Sequence, residues 1–197
     1  FFSGQVPNGD TLSPLMQKTS AIIGSYSGGL GAEYFSNLFY FDVVSKSTYF
    51  YRKQLLMPVG ELKVVWVSQV LQFLESLKLY TASPSRHYLS KGQHISLFES
   101  KNLPGYKFFG SLCSENISPN ATKLGATVLV NLASHAPFHG SQVLSRQTLA
   151  INTARALENG RYLITSSNYS NSFIVTDEGR LSSISTSAAA YSFFNDD

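Results

Sequence analysis

The sequence holds one cysteine, Cys113, so no disulfide can form within the chain. It has no run of about 18 apolar residues, so nothing in it reads as a bilayer-spanning helix. Charged residues are scarce, at 14%. The formal net charge of +3 is spread along the chain with no Lys/Arg cluster. Nucleic-acid binding calls for a basic stripe with interleaved aromatics, and its absence argues against such a partner. Residues 1–20 lack the charged start and apolar core of a signal peptide. There are no repeats, low-complexity tracts or linker-like stretches. Because the chain opens on Phe1, it is expected to be a piece of a longer protein.

What is present suits one domain over 1–197, with 43% hydrophobic residues in 197 positions. Aromatic residues reach 13%, which together with the low charge points to a surface that meets something apolar. The coarse pattern alternates strands and helices. Strands are expected over 21–26, 35–44, 48–51, 95–99, 106–112, 126–132, 161–166 and 172–176. A short helix is expected after Ser13 and a longer one over 62–79, where Val67, Val70, Leu71, Leu74 and Leu77 recur at helical spacing. A third spans 142–159 and closes at Gly160, the usual C-terminal glycine position. This pattern alone reaches mixed α and β layers, α/β or α+β.

Cys113 follows the apolar stretch Tyr106–Leu112, and a nucleophile where a buried strand ends is held rigidly at a cleft. A thiol reacts as thiolate and needs a cation or base beside it. On an extended backbone Glu115 shares a face with Cys113, which puts a carboxylate beside the thiol.

Four motifs then occur in order. Arg52-Lys53-Gln-Leu-Leu-Met-Pro-Val-Gly-Glu61 carries a lysine before a Pro-Val-Gly-Glu run, and Leu112-Cys-Ser-Glu115 carries the cysteine. Arg155-Ala-Leu-Glu-Asn-Gly-Arg161 falls on the third helix, and Ser167-Asn168 precedes Asp177-Glu-Gly179. Together they resemble the nitrilase (carbon-nitrogen hydrolase) superfamily, and are most similar to its apolipoprotein N-acyltransferase branch, over about residues 22–184. The resemblance implies a four-layer α-β-β-α sandwich. It implies Cys113 as nucleophile, Lys53 as the cation that stabilises the oxyanion, and Glu61 and Glu115 as supporting carboxylates. Arg155 and Glu158 are expected to brace their helix. No metal or diffusible cofactor is implied.

The activity implied is transfer of a fatty acyl group from a phospholipid donor, through a thioester on Cys113, to the N-terminal amine of a lipoprotein acceptor. The parent protein would sit in a bacterial inner membrane with this domain facing the periplasm, and the apolar stretch 62–79 lies where the branch has an arm near the bilayer. Two other functions stay open: a soluble nitrilase-type amidase, and a non-catalytic relative that binds lipid or protein.

Several positions depart from the family pattern. Its general-base glutamate is expected near or upstream of residue 1, and the first glutamate here is Glu33. The family's Asn-Asp-Ala-Trp-Phe-Gly loop reads Ser134-His-Ala-Pro-Phe-His-Gly140, with His135 and Pro137 at the acidic and Trp positions. Gln147-Thr148 stands for its Gln-His pair, and Tyr169-Ser170 for its Asn-Gly turn. The His135/His139 spacing suggests a metal pair, but Pro137 between them breaks the helix that would align it. Asn116, Asn120 and Asn168 head glycosylation triplets that read as chance matches.

Overall fold

The computed structural model describes residues 2–3, 18–27, 33–57, 61, 65–79, 88–93, 97–118, 125–135, 138 and 141–185. The chain forms two compact units, Phe1–Ile95 and Ser96–Asp197. The expected turn at 28–31, the short helix after Ser13 and His139 lie outside the described residues.

The N-terminal unit carries a four-stranded sheet in the order β1-β2-β3-β4. Its strands are β1 (Phe2–Ser3), β2 (Ala21–Ser27), β3 (Phe35–Asp42) and β4 (Ser47–Arg52). β1 runs parallel to β2, while β2, β3 and β4 are antiparallel. The hairpin between β3 and β4 is closed by Asp42. Its Oδ1 accepts the amides of Val44 and Ser45 at 2.9 and 3.0 Å, and Oδ2 accepts the Tyr40 hydroxyl at 3.0 Å. A short polar side chain that satisfies the following amides is what starts such a turn. Seven of the eight residues of β3 are buried, as a central strand requires.

One helix is described here, α1 (Val65–Ser76), within the stretch 62–79 expected to be helical, of which residues 62–64 lie outside the described ones. Its apolar stripe is largely open to solvent. Val70, Phe73 and Leu77 are exposed and Leu71 and Leu74 half-buried, where a plain core helix would hide them all.

The C-terminal unit is a six-stranded sheet in the order β10-β9-β8-β7-β6-β5. The strands are β5 (Leu97–Glu99), β6 (Lys107–Leu112), β7 (Val128–Ser134), β8 (Tyr162–Asn168), β9 (Ser172–Val175) and β10 (Leu181–Ser185). The central three, β6, β7 and β8, run parallel. β7 is buried on both faces from Leu129 to Ala133, as a central parallel strand requires, whereas β8 alternates, burying Leu163 and Thr165. Helix α2 (Gln142–Asn159) packs against β8 and β9. The Ser141 hydroxyl caps its start by accepting from the Leu144 amide, and Gly160 at φ 54° ends it in the left-handed region. Ala126, Leu129, Ala156, Leu163, Phe173 and Val175 form the core between sheet and helix, with Leu97, Phe109 and Leu149 against them.

The strand β10 and the short β1 are additions to the sequence reading. The other described strands begin or end within two residues of expectation.

Candidate active site

In the N-terminal unit the candidate lysine leaves the sheet just after β4. Its amide still donates to the Ser36 carbonyl at 2.9 Å, so Lys53 is anchored as an extension of the β3–β4 pairing. Its carbonyl accepts the Gly92 amide at 2.8 Å. That close approach requires glycine, because a Cβ on residue 92 would collide with the backbone of Arg52. The same 88–92 strap donates Leu89 N–H to the Glu61 carbonyl at 2.7 Å and Ser90 N–H to that of Tyr34 at 2.7 Å. Lys53 and Glu61 are therefore fixed by one strap.

The Lys53 ammonium is 1% exposed and meets both oxygens of Glu61, at 2.6 and 2.7 Å. Glu61 Oε2 also accepts the Met57 amide at 2.8 Å, which closes the loop on itself. A buried cation is tolerable only when paired and hydrogen-bonded, and Lys53 has both. The geometry places this pair together as the sequence motif implies.

In the C-terminal unit Cys113 sits at the carboxyl end of β6, where the β6–β7 ladder ends at Leu112 opposite Leu132. Here the extended-backbone expectation for Glu115 is corrected. Cys113 has φ 50° and opens a 3₁₀ turn over Cys113–Ile117, so residues 113 and 115 do not alternate as on a strand. Glu115 instead folds back, and its Oε2 accepts the Leu112 amide at 2.8 Å while its side chain is buried. It clamps the turn that presents the cysteine. A left-handed non-glycine residue costs about 1–2 kcal/mol, a strain that the surroundings must hold.

Buried amides also hold that turn. Asn131 Nδ2 donates to the Cys113 carbonyl at 3.2 Å and to Ser111 Oγ at 2.9 Å. Asn116 Nδ2 donates to Asn152 Oδ1 at 2.6 Å, and Asn152 Nδ2 to Thr165 Oγ1 at 2.7 Å. Asn131 and Asn152 are both fully buried. Sequence reasoning missed these residues. Their signals were an asparagine inside the apolar run Val128–Leu132 and one at helical spacing between Thr148 and Ala156. Asn116 donates within this network, and Asn168 Oδ1 accepts the His135 amide at 3.1 Å.

His135 lies just beyond the end of β7. It is 2% exposed, its Nε2 is 3.4 Å from the Thr148 hydroxyl, and its Nδ1 has no hydrogen-bond partner among the described residues. Burial pushes its pKa below the ordinary 6.5, so the ring is held neutral. The half-buried Arg155 pairs with the exposed Glu158 at 2.9 Å, three residues on along the helix.

No family model and no curated protein sequence matches this chain. Solved structures do match its fold. It is similar to Nit3 of Saccharomyces cerevisiae, a member of branch 10 of the nitrilase superfamily, at 18% identity and a TM-score of 0.61. It is likewise similar to XC1258 of Xanthomonas campestris, a CN-hydrolase superfamily protein solved with an arsenic adduct in its active site, at 12% identity and a TM-score of 0.61. These matches cover 90% and 92% of this chain but only 60% and 64% of the two neighbours. The fold class is the mixed α/β, α-β-β-α sandwich of nitrilase-superfamily structures. Neither neighbour is an apolipoprotein N-acyltransferase.

Proposed function

We propose that the chain performs nitrilase-type acyl transfer through Cys113. The observation that carries this reading is the strained, clamped turn that presents the chain's one cysteine at the carboxyl end of a parallel strand, where α/β sheets carry their reactive groups. The buried Lys53–Glu61 pair supports it, since a fixed ammonium is what a developing oxyanion requires.

In this reading the Cys113 thiolate attacks an acyl carbonyl and a carbon–sulfur bond forms. The negative charge on the tetrahedral oxygen is met by the Lys53 ammonium. The donor's carbon–oxygen or carbon–nitrogen bond breaks, its alcohol or amine takes up the proton that the thiol released, and a thioester remains. An acceptor amine or water then attacks that thioester and the thiolate departs. Glu61 holds the lysine and Glu115 holds the cysteine turn. Within the superfamily we favour the phospholipid-to-lipoprotein transfer of the N-acyltransferase branch, in a bacterial inner-membrane protein whose domain faces the periplasm. The Pro-Val-Gly-Glu run after Lys53 and the exposed apolar side chains of α1 support that choice. No described helix is long and apolar enough to cross a membrane.

A second, non-catalytic reading has its own support: His135 stands where the family's loop carries an acidic residue. The deciding experiment supplies phospholipid vesicles and a peptide with a lipidated N-terminal cysteine, and follows N-acylation by mass spectrometry. A product lost in Cys113→Ala supports acyl transfer. Ammonia release from small amides without N-acylation assigns a soluble amidase. Neither product from a folded protein leaves the non-catalytic reading.

A further inference from the structure

The turn that carries Cys113 is held by a network reaching two neighbouring elements. The left-handed turn takes Cys113 out of the β6–β7 ladder, whose last pair is Leu112 with Leu132. Its carbonyl, no longer in register, accepts instead from the side-chain amide of Asn131 at 3.2 Å. The amide's other proton goes to Ser111 Oγ at 2.9 Å, and that hydroxyl donates to the Val130 carbonyl at 3.3 Å. Both Asn131 donors are thereby used, and both lock the end of β6 to β7.

On its far side the turn is held from α2. Asn116, three residues after the cysteine, donates to Asn152 Oδ1 at 2.6 Å. Asn152 in turn donates to Thr165 Oγ1 on β8 at 2.7 Å. Asn116 is 8% exposed, Asn152 0% and Thr165 2%, so water does not compete for these bonds. A buried amide–amide–hydroxyl chain is a poor way to fill a core, because apolar side chains would pack there without the desolvation cost. It does favour one geometry, since the buried bonds tie the turn to both α2 and β8.

We propose that Asn131 and Asn152 are positioning residues for the nucleophile. Asn131 fixes the Cys113 carbonyl and so the left-handed turn, and Asn152 fixes the following residues through Asn116. The inference rests on Cys113 being the nucleophile, and it assigns the geometry of the thiol to two residues that never touch substrate.

The test uses the fact that Cys113 is the chain's one thiol, so alkylation reports on it alone. The second-order rate with iodoacetamide is followed by intact mass across pH, for the whole chain and for Asn131→Leu, Asn152→Leu and Thr165→Val. The expected result is a rate near neutral pH lowered about tenfold in the two asparagine variants, with the midpoint of the pH profile displaced upward by about one unit. Thr165→Val keeps its volume and removes the acceptor of Asn152, so it decides the point should an asparagine variant fail to fold. It is expected to slow alkylation about threefold. Thr148→Val, on the same buried stripe of α2 but outside the network, is the control and keeps the wild-type profile. Folded variants with wild-type rate and midpoint overturn the inference. A wild-type Cys113 no more reactive than a free cysteine removes the nucleophile reading itself, a separate failure seen before any variant is compared.

Discussion

Replacing Lys53 by methionine tests the buried ion pair. The side chains are of similar length, so the change removes charge and donors while nearly filling the space. At 2.6 Å and an effective dielectric of about 20, the pair's attraction is about 6 kcal/mol. Much of that is offset by the cost of drying an ammonium that is 1% exposed. Removing one partner is therefore the sharper perturbation, because Glu61 then loses its cation and, among the described residues, keeps the Met57 amide. Losses of this kind run to about 3–5 kcal/mol. Glu61 is 19% exposed and regains some water, so the lower end applies, about 3 kcal/mol. For a chain of this size that corresponds to a Tm lower by about 6–12 °C. Urea and thermal unfolding followed by circular dichroism measure it. The double variant Lys53→Met/Glu61→Leu should recover at least half of the loss, since no unpaired charge remains. A Lys53→Met protein within about 0.5 kcal/mol of wild type would refute the view that this pair is buried and structurally coupled.

Other consequences are open to test. His135 is held neutral below its ordinary 6.5, so on acidification the unfolded chain binds a proton that the fold resists. Its contribution to stability is thus lost as pH falls from about 6.5 towards the depressed folded value, and His135→Gln should flatten that part of the urea-midpoint profile. Gly92→Ala drives a methyl group into the Arg52 backbone and displaces the strap on Lys53, costing more than about 2 kcal/mol by urea unfolding. Glu115→Gln keeps the shape of the clamp on the Leu112 amide but weakens a charge-assisted hydrogen bond, at about 1 kcal/mol, while Glu115→Ala costs more. A Glu115→Ala protein as stable as wild type would show that the carboxylate does not hold the turn.

Elements whose ends carry their own chemistry were legible in the sequence. Helix α2 is read to the residue because Ser141 caps it and Gly160 stops it. The β3–β4 hairpin is legible from its aromatic strands. By contrast β10, Leu-Ser-Ser-Ile-Ser, has too little apolar alternation to stand out, and the two residues of β1 are held only by pairing with β2. In the site, the pairing of Lys53 with Glu61 was legible through the motif they share. The placing of Glu115 was not, because a single positive φ at Cys113 cancels the strand alternation on which it rested. The Asn116–Asn152 bond joins residues 36 apart and depends on where α2 lies against the sheet, which no local pattern encodes. Its visible traces were an asparagine within an apolar strand and another at helical spacing between Thr148 and Ala156.

The central claim is that Cys113 takes up an acyl group. Its most direct test is to incubate the protein with an activated acyl ester, quench in acid, and read the intact mass before and after hydroxylamine. The account predicts one added acyl group that maps to Cys113, is removed by hydroxylamine, and is absent in Cys113→Ala. It also predicts that the adduct forms at least about tenfold more slowly in Lys53→Met, which removes the cation proposed to stabilise the oxyanion. A folded wild-type protein that gains no hydroxylamine-sensitive mass would contradict the account and leave Cys113 a structural residue.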